Sequence, residues 1–380
     1  MTTLFVPSSA AEITPEWMNS VLAEGDYLGG ARVTNVTVTE IGAGRGFIGQ
    51  TLRVAIDYDQ PAPGAPASLV AKLPTAFDYD PTYAQIIALL YTNEIQFYRD
   101  LAADCPIRVP ISYWHGMNPE QGRYCLLLED MGSLSMRDQL TSCDDDTARM
   151  VVRSLADIHA RWWENPELKQ KEWISPPELQ AMLITGIYEM AWANFAERLG
   201  SKLDPRFMPI GERLRQQLPQ LVLEGAASAS TLAHGDYRIE NFMFGELGAA
   251  DELVVLDWQT NGRGSGLRDL AYFTSQSLSI EARRRLEEEL LRIYYDRLGE
   301  KGVTGYSFEQ CLTDYKRGLL IGMYIPVNGV HALVTAIAPE DPAALEVFQK
   351  VMEAGEALVA MIAERGIAAI VDNDAASVMS

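Results

Sequence analysis

The chain has 380 residues, of which 48% are hydrophobic and 22% charged, a composition typical of a globular protein long enough for two lobes. Its formal net charge of −21 argues against nucleic-acid binding, because a phosphate backbone requires a basic face. The net charge is −8 for residues 1–131 and −13 for residues 132–380. The acidity is therefore spread along the chain and indicates solubility more than a cationic substrate.

Cysteine usage and the N-terminus predict a cytoplasmic location. The four cysteines, at positions 105, 125, 143 and 311, form no CxxC pair and favour reduced thiols. The opening MTTLFVPSSA contains no basic residue, so we expect neither a secretory signal nor a transit peptide. The apolar stretch 318–338 approaches spanning length, but Pro326, Asn328 and His331 interrupt it. This predicts two packed helices and no membrane span.

The first third of the chain reads as strands with few helices. Thr14 and Pro15 are typical of a helix start, and predict a helix over ITPEWMNSVLAE. A glycine-rich stretch precedes a segment of alternating apolar residues, and an amphipathic helix follows at TNEIQFYRDL with Glu94 at its start. Strands are predicted near 32–40, 50–58, 68–73, 111–115 and 123–129.

After Gly132, the sequence pattern predicts mainly helices. CDDDTARMVVRSLADIHARWW places apolar residues on one face of a helix, and predicts that His159 is a core histidine rather than a ligand. No internal repeat is present, and the last residues, DNDAASVMS, are predicted to be frayed. Further helices are predicted near 176–199, 206–223, 280–298, 307–322 and 342–365.

Two segments indicate phosphoryl-transfer chemistry. LAHGDYRIENFMF at 232–244 places Asp236 on a loop and Asn241 five positions later, and VVLDW places Asp257 at the end of an apolar strand. Transfer to an alcohol requires a group that accepts or orients the hydroxyl proton and side chains that hold Mg²⁺ against the phosphates. Asp236 suits the first role, and Asn241 and Asp257 suit the second. The spacing of Asp and Asn equals that of the protein-kinase loop H-R-D-x-x-x-x-N.

The wording HGDYRIEN, with Gly235 where protein kinases carry Arg, resembles the aminoglycoside phosphotransferases and the related choline-kinase and ecdysteroid-kinase-like small-molecule kinases. No A-P-E-like end of an activation segment follows Asp257, as a protein kinase would have. The resemblance implies an α+β, bilobal, protein-kinase-like fold. It comprises a small β-rich N-terminal lobe with one key helix, residues 1–131, and a larger, mainly helical C-terminal lobe, residues 132–380.

The resemblance assigns nucleotide-binding roles in the N-terminal lobe. Lys72, in SLVAKLP, would pair with the α- and β-phosphates of ATP, and Glu94 would fix its ammonium. Taken alone, each would read as a solvated surface residue. Gly44 and Gly46 would belong to the lid over ATP, although the strict G-x-G-x-x-G spacing fails at Phe47.

The resemblance also places a hinge after the strand RYCLLLE. There the carbonyl of Glu129 and the amide of Met131 would bind the adenine edge. Around the catalytic loop, Arg238 would touch the transferring phosphate or simply pair with a nearby acid. His234 and Asp269, the latter in GLRDLAYF, would support the loop.

The resulting hypothesis is an ATP- and Mg²⁺-dependent kinase of a small-molecule hydroxyl, with a nucleotide-binding pseudokinase or scaffold as the alternative. Aminoglycoside, choline-like, sugar and apolar steroid-like or lipid-like acceptors all stay open, as does GTP in place of ATP. Aromatic residues of the insert before the catalytic loop are predicted to be core more than a ligand pocket, although their number suggests an apolar acceptor. They are Trp162, Trp163, Trp173, Tyr188, Trp192 and Phe195.

Overall fold

The computed structural model describes residues 4–41, 49–74, 81–336 and 342–379. The predicted lid residues Gly44 and Gly46 lie outside these ranges. The chain forms two compact units: Met1–Ser135 with Met243–Thr260, and Met136–Phe242 with Asn261–Ser380. The sequence-based division into lobes at 131/132 did not join residues 243–260 to the N-terminal part.

The elements follow the predicted order, and the predicted mixture of a small sheet-rich part and a larger helical part is confirmed. The first elements are α1 (Pro15–Glu24), β1 (Val33–Glu40), β2 (Gly49–Tyr58), β3 (Ser68–Pro74), α2 (Pro81–Asp100), β4 (Ser112–Asn118), β5 (Arg123–Glu129) and β6 (Ser135–Met136). These are followed by α3 (Asp145–Arg161), α4 (Pro166–Gln170), α5 (Pro177–Leu199), α6 (Phe207–Ser228), β7 (Ser230–Ala233), β8 (Phe242–Phe244), β9 (Leu253–Val255) and β10 (Gly262–Ser265). The last helices are α7 (Leu267–Ser277), α8 (Ile280–Glu300), α9 (Phe308–Gly322), α10 (Tyr324–Thr335) and α11 (Pro342–Asp372).

The first unit is built on an antiparallel sheet in the order β1-β2-β3-β5-β4. Alternation along β3 buries Leu69, Ala71 and Leu73 and leaves Lys72 on the opposite face. Helix α1 covers the buried face of the sheet, and its predicted start is confirmed, since Thr14 Oγ1 accepts the amide of Trp17 at 3.2 Å. Lys72 therefore projects from the side of the sheet that α1 does not cover.

Helix α2 is longer than the sequence predicts. It begins at Pro81, so Glu94 lies in its interior and not at its start. The buried apolar residues Ile87 and Tyr91 continue the helical pattern upstream of the predicted segment. The prediction of the helix start was wrong because it followed only the amphipathic segment TNEIQFYRDL, whereas packing of the preceding turns extends the helix.

The second unit packs its helices around α7, in which every residue except Arg268 is buried. Helix α9 contacts α7 closely at Gly318, where an added Cβ would lie 2.7 Å from the carbonyl oxygen of Leu267. Helix α10 packs on α5, which in turn packs on α6. The aromatic residues of the insert contribute to this core: Tyr188 and Trp192 stack with ring centroids 5.4 Å apart, and both are buried.

The apolar stretch near residue 320 forms two helices, α9 and α10, as the sequence predicts, but the break lies at Met323, and Pro326, Asn328 and His331 lie within α10. Over the described residues, one helical stretch, Phe308–Thr335, has the length and composition of a membrane-crossing helix. The core helix of a soluble protein meets the same criteria, and 44% of the apolar window is buried inside the protein.

The C-terminal residues are packed, so the prediction that they are frayed was wrong. Asp372 ends α11 and pairs with Arg283 and with Arg284, the latter at 2.7 Å. Ala375 is fully buried, and Met379 has an exposed fraction of 7%. Ionic contacts with a distant helix hold this segment, and such contacts leave no local sequence signal.

Two glycine-to-alanine substitutions are expected to change stability in opposite directions. Gly318→Ala places a methyl group against a backbone carbonyl and should lower the free energy of unfolding by about 1–3 kcal/mol. Gly186→Ala, in the interior of α5, meets nothing within 4 Å and should raise it by about 0.5–1 kcal/mol through helix propensity. Urea denaturation of both variants tests the packing. Equal changes in the free energy of unfolding of the two variants would contradict this packing.

Candidate functional site

In the first unit, the candidate site centres on Lys72. Its ammonium Nζ lies 2.7 Å from both carboxylate oxygens of Glu94 and 2.8 Å from Oδ1 of Asp257. Strand β3 holds the lysine between Thr51 of β2 and Leu126 of β5. The pair that the sequence predicted, Lys72 with Glu94, is thus in direct contact, and Asp257 joins it as a third member.

Burial and pairing set the charges of this triad. Burial acts to lower the pKa of Lys72, but the carboxylates of Asp257 and Glu94 outweigh it and raise that pKa above its usual value. Burial raises the pKa of Glu94, and the ammonium of Lys72 opposes the shift. The Glu94 carboxylate also accepts the backbone amide of Trp258. The lysine therefore remains charged, and its position is fixed by two acidic side chains.

Asp257 occupies an unusual backbone conformation. Its φ of 62° lies in the left-handed region, which Asp and Asn adopt more readily than other non-glycine residues. The residues that follow it anchor the segment to α2: the ring of Trp258 stacks on Phe97 with centroids 3.9 Å apart, and Gln259 accepts a hydrogen bond from Asn93. The turn aims the Asp257 carboxylate at Lys72 while its neighbours remain packed on the helix that carries Glu94.

The predicted hinge is clamped by a residue to which the sequence analysis gave no role. The carboxylate of Asp130 accepts Nε of Arg53 at 2.7 Å, the hydroxyl of Ser68 at 2.7 Å and the amide of Gly132 at 2.9 Å. These donors come from β2, from β3 and from the hinge itself. They fix the backbone that leaves β5, so the hinge is held by side-chain contacts as well as by the sheet ladder.

The two predicted adenine-binding positions differ in their contacts. The side chain of Glu129 pairs with Arg108, and its amide donates to Ile111. The amide of Met131 donates to no residue in the described parts of the chain, so it is available to a ligand. A small apolar cluster surrounds this position; it comprises Met131, Leu134, Met243, Val254 and Leu256.

In the second unit, the candidate catalytic loop runs from β7 to β8 and is anchored by Asp269. The Asp269 carboxylate accepts the amide of His234 at 2.6 Å and that of Gly235 at 2.9 Å. Gly235 has a φ of 85°, which suits glycine and not the Arg of protein kinases. Nδ1 of His234 accepts the amide of Asp236 at 3.2 Å. Asp269 and His234 therefore contact the loop backbone from behind.

His159 completes the anchor. Its Nε2 lies 3.2 Å from Asp269, and its Nδ1 lies 2.7 Å from the hydroxyl of Tyr294. Burial alone would raise the pKa of Asp269, but hydrogen bonding to His159 and to the Gly235 amide holds that pKa below its usual value. The predicted core histidine thus has a specific partner, and through it supports the catalytic loop.

Asp236 receives several hydrogen bonds. Its Oδ2 accepts Nδ2 of Asn241 at 2.9 Å, its Oδ1 lies 3.2 Å from Nε of Arg238, and its backbone carbonyl accepts Asn241 at 2.8 Å. Because Nδ2 of Asn241 is used in this way, its Oδ1 is the atom left for a metal ion. Asn241, predicted as a metal ligand, and Arg238, predicted as a phosphate contact, therefore both hold the Asp236 carboxylate.

Arg238 is tied into the loop as an ordinary paired arginine and also retains a free donor. Its guanidinium lies 2.7 Å from Oε1 of Gln139 and 2.6 Å from Glu240. The Asp236 carboxylate, more than any other group, raises the pKa of Arg238 above its usual value. Its Nη2 donates to none of the residues that the structure describes. Both readings from the sequence, pairing with an acid and contact with a phosphate, fit this geometry.

Tyr272 belongs to the site and was missed by the sequence analysis. Burial first, and then the Asp236 carboxylate to which its hydroxyl hydrogen-bonds, raise the pKa of Tyr272 well above its usual value. The phenol therefore remains a donor to Asp236. The sequence signal that could have identified Tyr272 was its position three residues after Asp269, on the same turn of α7.

The predicted residues thus fall into two sets. Lys72, Glu94 and Asp257 meet in the first unit, and Asp236, Arg238 and Asn241 meet in the second with His234 and Asp269 behind them. The predicted metal ligands, Asn241 and Asp257, lie in different units. The aromatic residues of the insert do not gather at Asp236, since Tyr188, Trp192 and Phe195 form core instead. The predicted roles of all these residues stay predictions.

Comparisons with known proteins agree with this fold. A choline kinase from Cryptosporidium parvum Iowa II superposes with a TM-score of 0.52 at 10% sequence identity, covering 96% of this chain and 95% of that one. The GDP complex of a mutant aminoglycoside 2′-phosphotransferase-IIIa gives a TM-score of 0.50 at 12% identity, covering 90% of this chain and 97% of that one. At such identities, the likeness shows a shared fold. No curated protein sequence matched the chain.

A family model provides the evolutionary assignment. It describes the ecdysteroid kinase-like family and matches residues 43–302, which is more than half of the chain and includes both parts of the candidate site. This confirms the resemblance to small-molecule kinases that the motifs indicated. The chain belongs to the ecdysteroid kinase-like family.

Proposed function

We propose that the protein transfers the γ-phosphoryl group of ATP to a hydroxyl of a small molecule in a Mg²⁺-dependent reaction. The observation that carries the proposal is the triad of Lys72, Glu94 and Asp257, in which a buried glutamate fixes a charged lysine beside a carboxylate. A lysine fixed in this way suits the phosphates of a nucleotide. The cytoplasmic location predicted from the sequence stays a prediction.

The residues present fit a magnesium nucleotide. The triad carries one positive and two negative side chains, so a divalent cation and the phosphates together can balance its charge. Within the described ranges, no three His, Cys, Asp or Glu side chains are arranged to hold a metal by themselves. In the first unit, Asp257 is the proposed ligand of Mg²⁺, and in the second unit the Oδ1 of Asn241 suits the same role, with phosphate oxygens as the ion's usual further ligands. Bound Mg²⁺ would neutralise charge that develops on the transferring group.

Asp236 is the proposed base. In the transfer, the bond between the γ-phosphorus and the ADP oxygen breaks, a bond to the acceptor oxygen forms, and the hydroxyl proton passes to the Asp236 carboxylate. Hydrogen bonds from Asn241 and Tyr272 orient that carboxylate. Arg238, through its free Nη2, would neutralise charge on the phosphoryl oxygens. Loss of one of these groups is the usual signature of a pseudokinase, and the chain retains the lysine, the proposed base and the acidic metal ligand, which favours an enzyme.

Substitution of the base should separate turnover from binding. Asp236→Asn preserves shape but cannot take up a proton, so phosphoryl transfer across a panel of hydroxylated compounds should fall by about 10²–10⁴-fold. The thermal shift produced by Mg²⁺ and ATP should remain. Asp296→Asn, on α8, serves as the matched control and should retain wild-type transfer. Unchanged transfer by Asp236→Asn would refute the assignment of the base.

Substitutions in the triad should weaken nucleotide binding. Lys72→Met removes the phosphate partner and leaves two carboxylates facing each other, and Asp257→Asn removes a metal ligand. Each should weaken Mg²⁺-ATP binding by at least about tenfold, equal to about 1.4 kcal/mol. The measurement is titration calorimetry, with the exposed Lys202→Met as control. Wild-type affinity in both variants would contradict the nucleotide site.

Asp269 gives a prediction for pH dependence. Its folded-state pKa lies below the unfolded value of about 3.9, so its ionised form stabilises the fold above that pH, and the contribution is lost as the pH falls through the folded pKa. Asp269→Asn should therefore lower the free energy of unfolding by about 1–3 kcal/mol near pH 7 and by less below about pH 4. Urea titrations at several pH values, with Asp296→Asn as control, test this. If the free energies of unfolding of Asp269→Asn and the wild type differed by the same amount at every pH, this prediction would be contradicted.

A further inference from the structure

In the first unit, a second basic side chain shares a face of the sheet with Lys72. Alternation along β2 buries Leu52 and Val54 in the core beneath α1, so Arg53 between them projects from the opposite face. Lys72 projects from that same face of β3. The strand register pairs Arg53 with Val70, which lies two residues before Lys72, roughly 7 Å away along the strand. Arg53 therefore lies close to the proposed position of the phosphates.

The side chain of Arg53 crosses β3 and ends at the hinge. In the sheet, β3 lies between β2 and β5, and the hinge follows β5. Nε and Nη2 of Arg53 donate to the two carboxylate oxygens of Asp130, at 2.7 and 3.1 Å. The hydroxyl of Ser68 donates to the same carboxylate, and a Cβ added to Gly132 would collide with Nη2 of Arg53. Two parallel hydrogen bonds thus hold the guanidinium in a defined plane against the hinge.

The pairing with Asp130 leaves part of the guanidinium open. It uses only the edge that carries Nε and Nη2, and Nη1 of Arg53 donates to none of the residues that the structure describes. The side chain of Arg53 is 41% exposed, whereas that of Asp130 is 9% exposed. Hydrogen bonds along one edge leave the flat faces of a guanidinium, and such faces stack on aromatic rings. A fixed and partly exposed planar cation therefore suits an aromatic ring of a ligand.

The proposed phosphate position and the hinge together locate the base of a nucleotide. The phosphates are proposed to lie at Lys72, and the amide of Met131 in the hinge is available to a ligand. From Lys72 towards the hinge, the next side chain on this face of β3 is Val70. Val70 is flanked by Arg53 on β2 and by Leu128 on β5. A nucleotide that reaches both Lys72 and the hinge must therefore pass over Val70, which brings its base next to Arg53.

We propose that Arg53 is a base-binding residue, whose guanidinium, fixed by Asp130, stacks on the base of the bound nucleotide. The inference rests on the proposed function, because it takes the phosphates of the same nucleotide to lie at Lys72. Arginine suits this role and lysine does not, since an ammonium group has no flat face. A clamp that only tied β2 to the hinge would need the charge of Arg53 but not its plane. Substitution by lysine therefore separates the two roles.

The test compares two ligands that differ only in the base, ADP and ribose 5′-diphosphate, each titrated calorimetrically in the presence of Mg²⁺. The quantity measured is the ratio of their affinities. In Arg53→Lys, which keeps the charge and can still pair with Asp130, this ratio should fall by about three- to tenfold, because only ADP loses a contact. Arg53→Met should lower the ratio by a similar factor.

Arg99→Met serves as the matched control. Arg99 is 47% exposed, and it pairs with Asp100 through the same two nitrogens and at the same distances, 2.7 and 3.1 Å. Loss of this exposed pair should leave the ratio at its wild-type value. In Arg53→Lys, the affinity for ribose 5′-diphosphate should stay within about twofold of that of the wild type, because the phosphate site at Lys72 is unchanged.

Two results would overturn the inference. One is a wild-type ratio in Arg53→Lys, and the other is an equal loss of affinity for both ligands, which would make Arg53 a clamp only. Formation of a phosphate ester is measured separately with the panel of hydroxylated compounds. A ratio that depends on Arg53 without ester formation would support the stacking and refute the proposed transfer. Ester formation with an unchanged ratio in Arg53→Lys would support the transfer and refute the stacking.

Discussion

A carboxylate removed from water has to be matched by hydrogen-bond donors, and each unit of the protein builds its part of the candidate site around one such group. In the second unit it is Asp269, which accepts two consecutive backbone amides of the catalytic loop and a ring nitrogen of His159. In the first unit it is Glu94, which accepts Lys72 and the amide of Trp258. Leaving either carboxylate without partners would cost several kcal/mol, so the donors cannot move away independently. This constraint holds the loops that carry these donors in defined positions.

The same constraint explains the charges left for ligands. Lys72 contacts two carboxylates, so its surroundings hold more negative than positive charge and would repel the phosphates of a nucleotide that came alone. A nucleotide accompanied by a divalent cation would meet no such barrier. In the second unit, hydrogen-bond donors occupy the carboxylate of Asp269, and the guanidinium of Arg268 donates to the neutral Gln180.

The sequence predicted those features that depend on local spacing. The strand around Lys72, the interval between Asp236 and Asn241, and the cap at Thr14 follow from alternation, loop length and capping chemistry, all of which involve neighbouring residues. The features it missed depend on contacts between distant residues. His159 meets Asp269 across 110 positions, and the start of α2 depends on the packing of turns that precede the predicted segment. The left-handed turn at Asp257 likewise leaves no trace in composition.

The aromatic insert shows why residue type alone is a weak guide to an acceptor site. Tyr188 and Trp192 have the size and chemistry of a ligand pocket, yet they stack on one another because a helix of α5's length must bury its apolar face. The residue that borders Asp236 is instead Tyr272 of α7, whose hydroxyl hydrogen-bonds to the Asp236 carboxylate. Burial requires polar side chains on such a helix to find hydrogen-bond partners, as Asp269 and Thr274 do. Their chemistry, and not the abundance of aromatic side chains, defines what can lie beside the base.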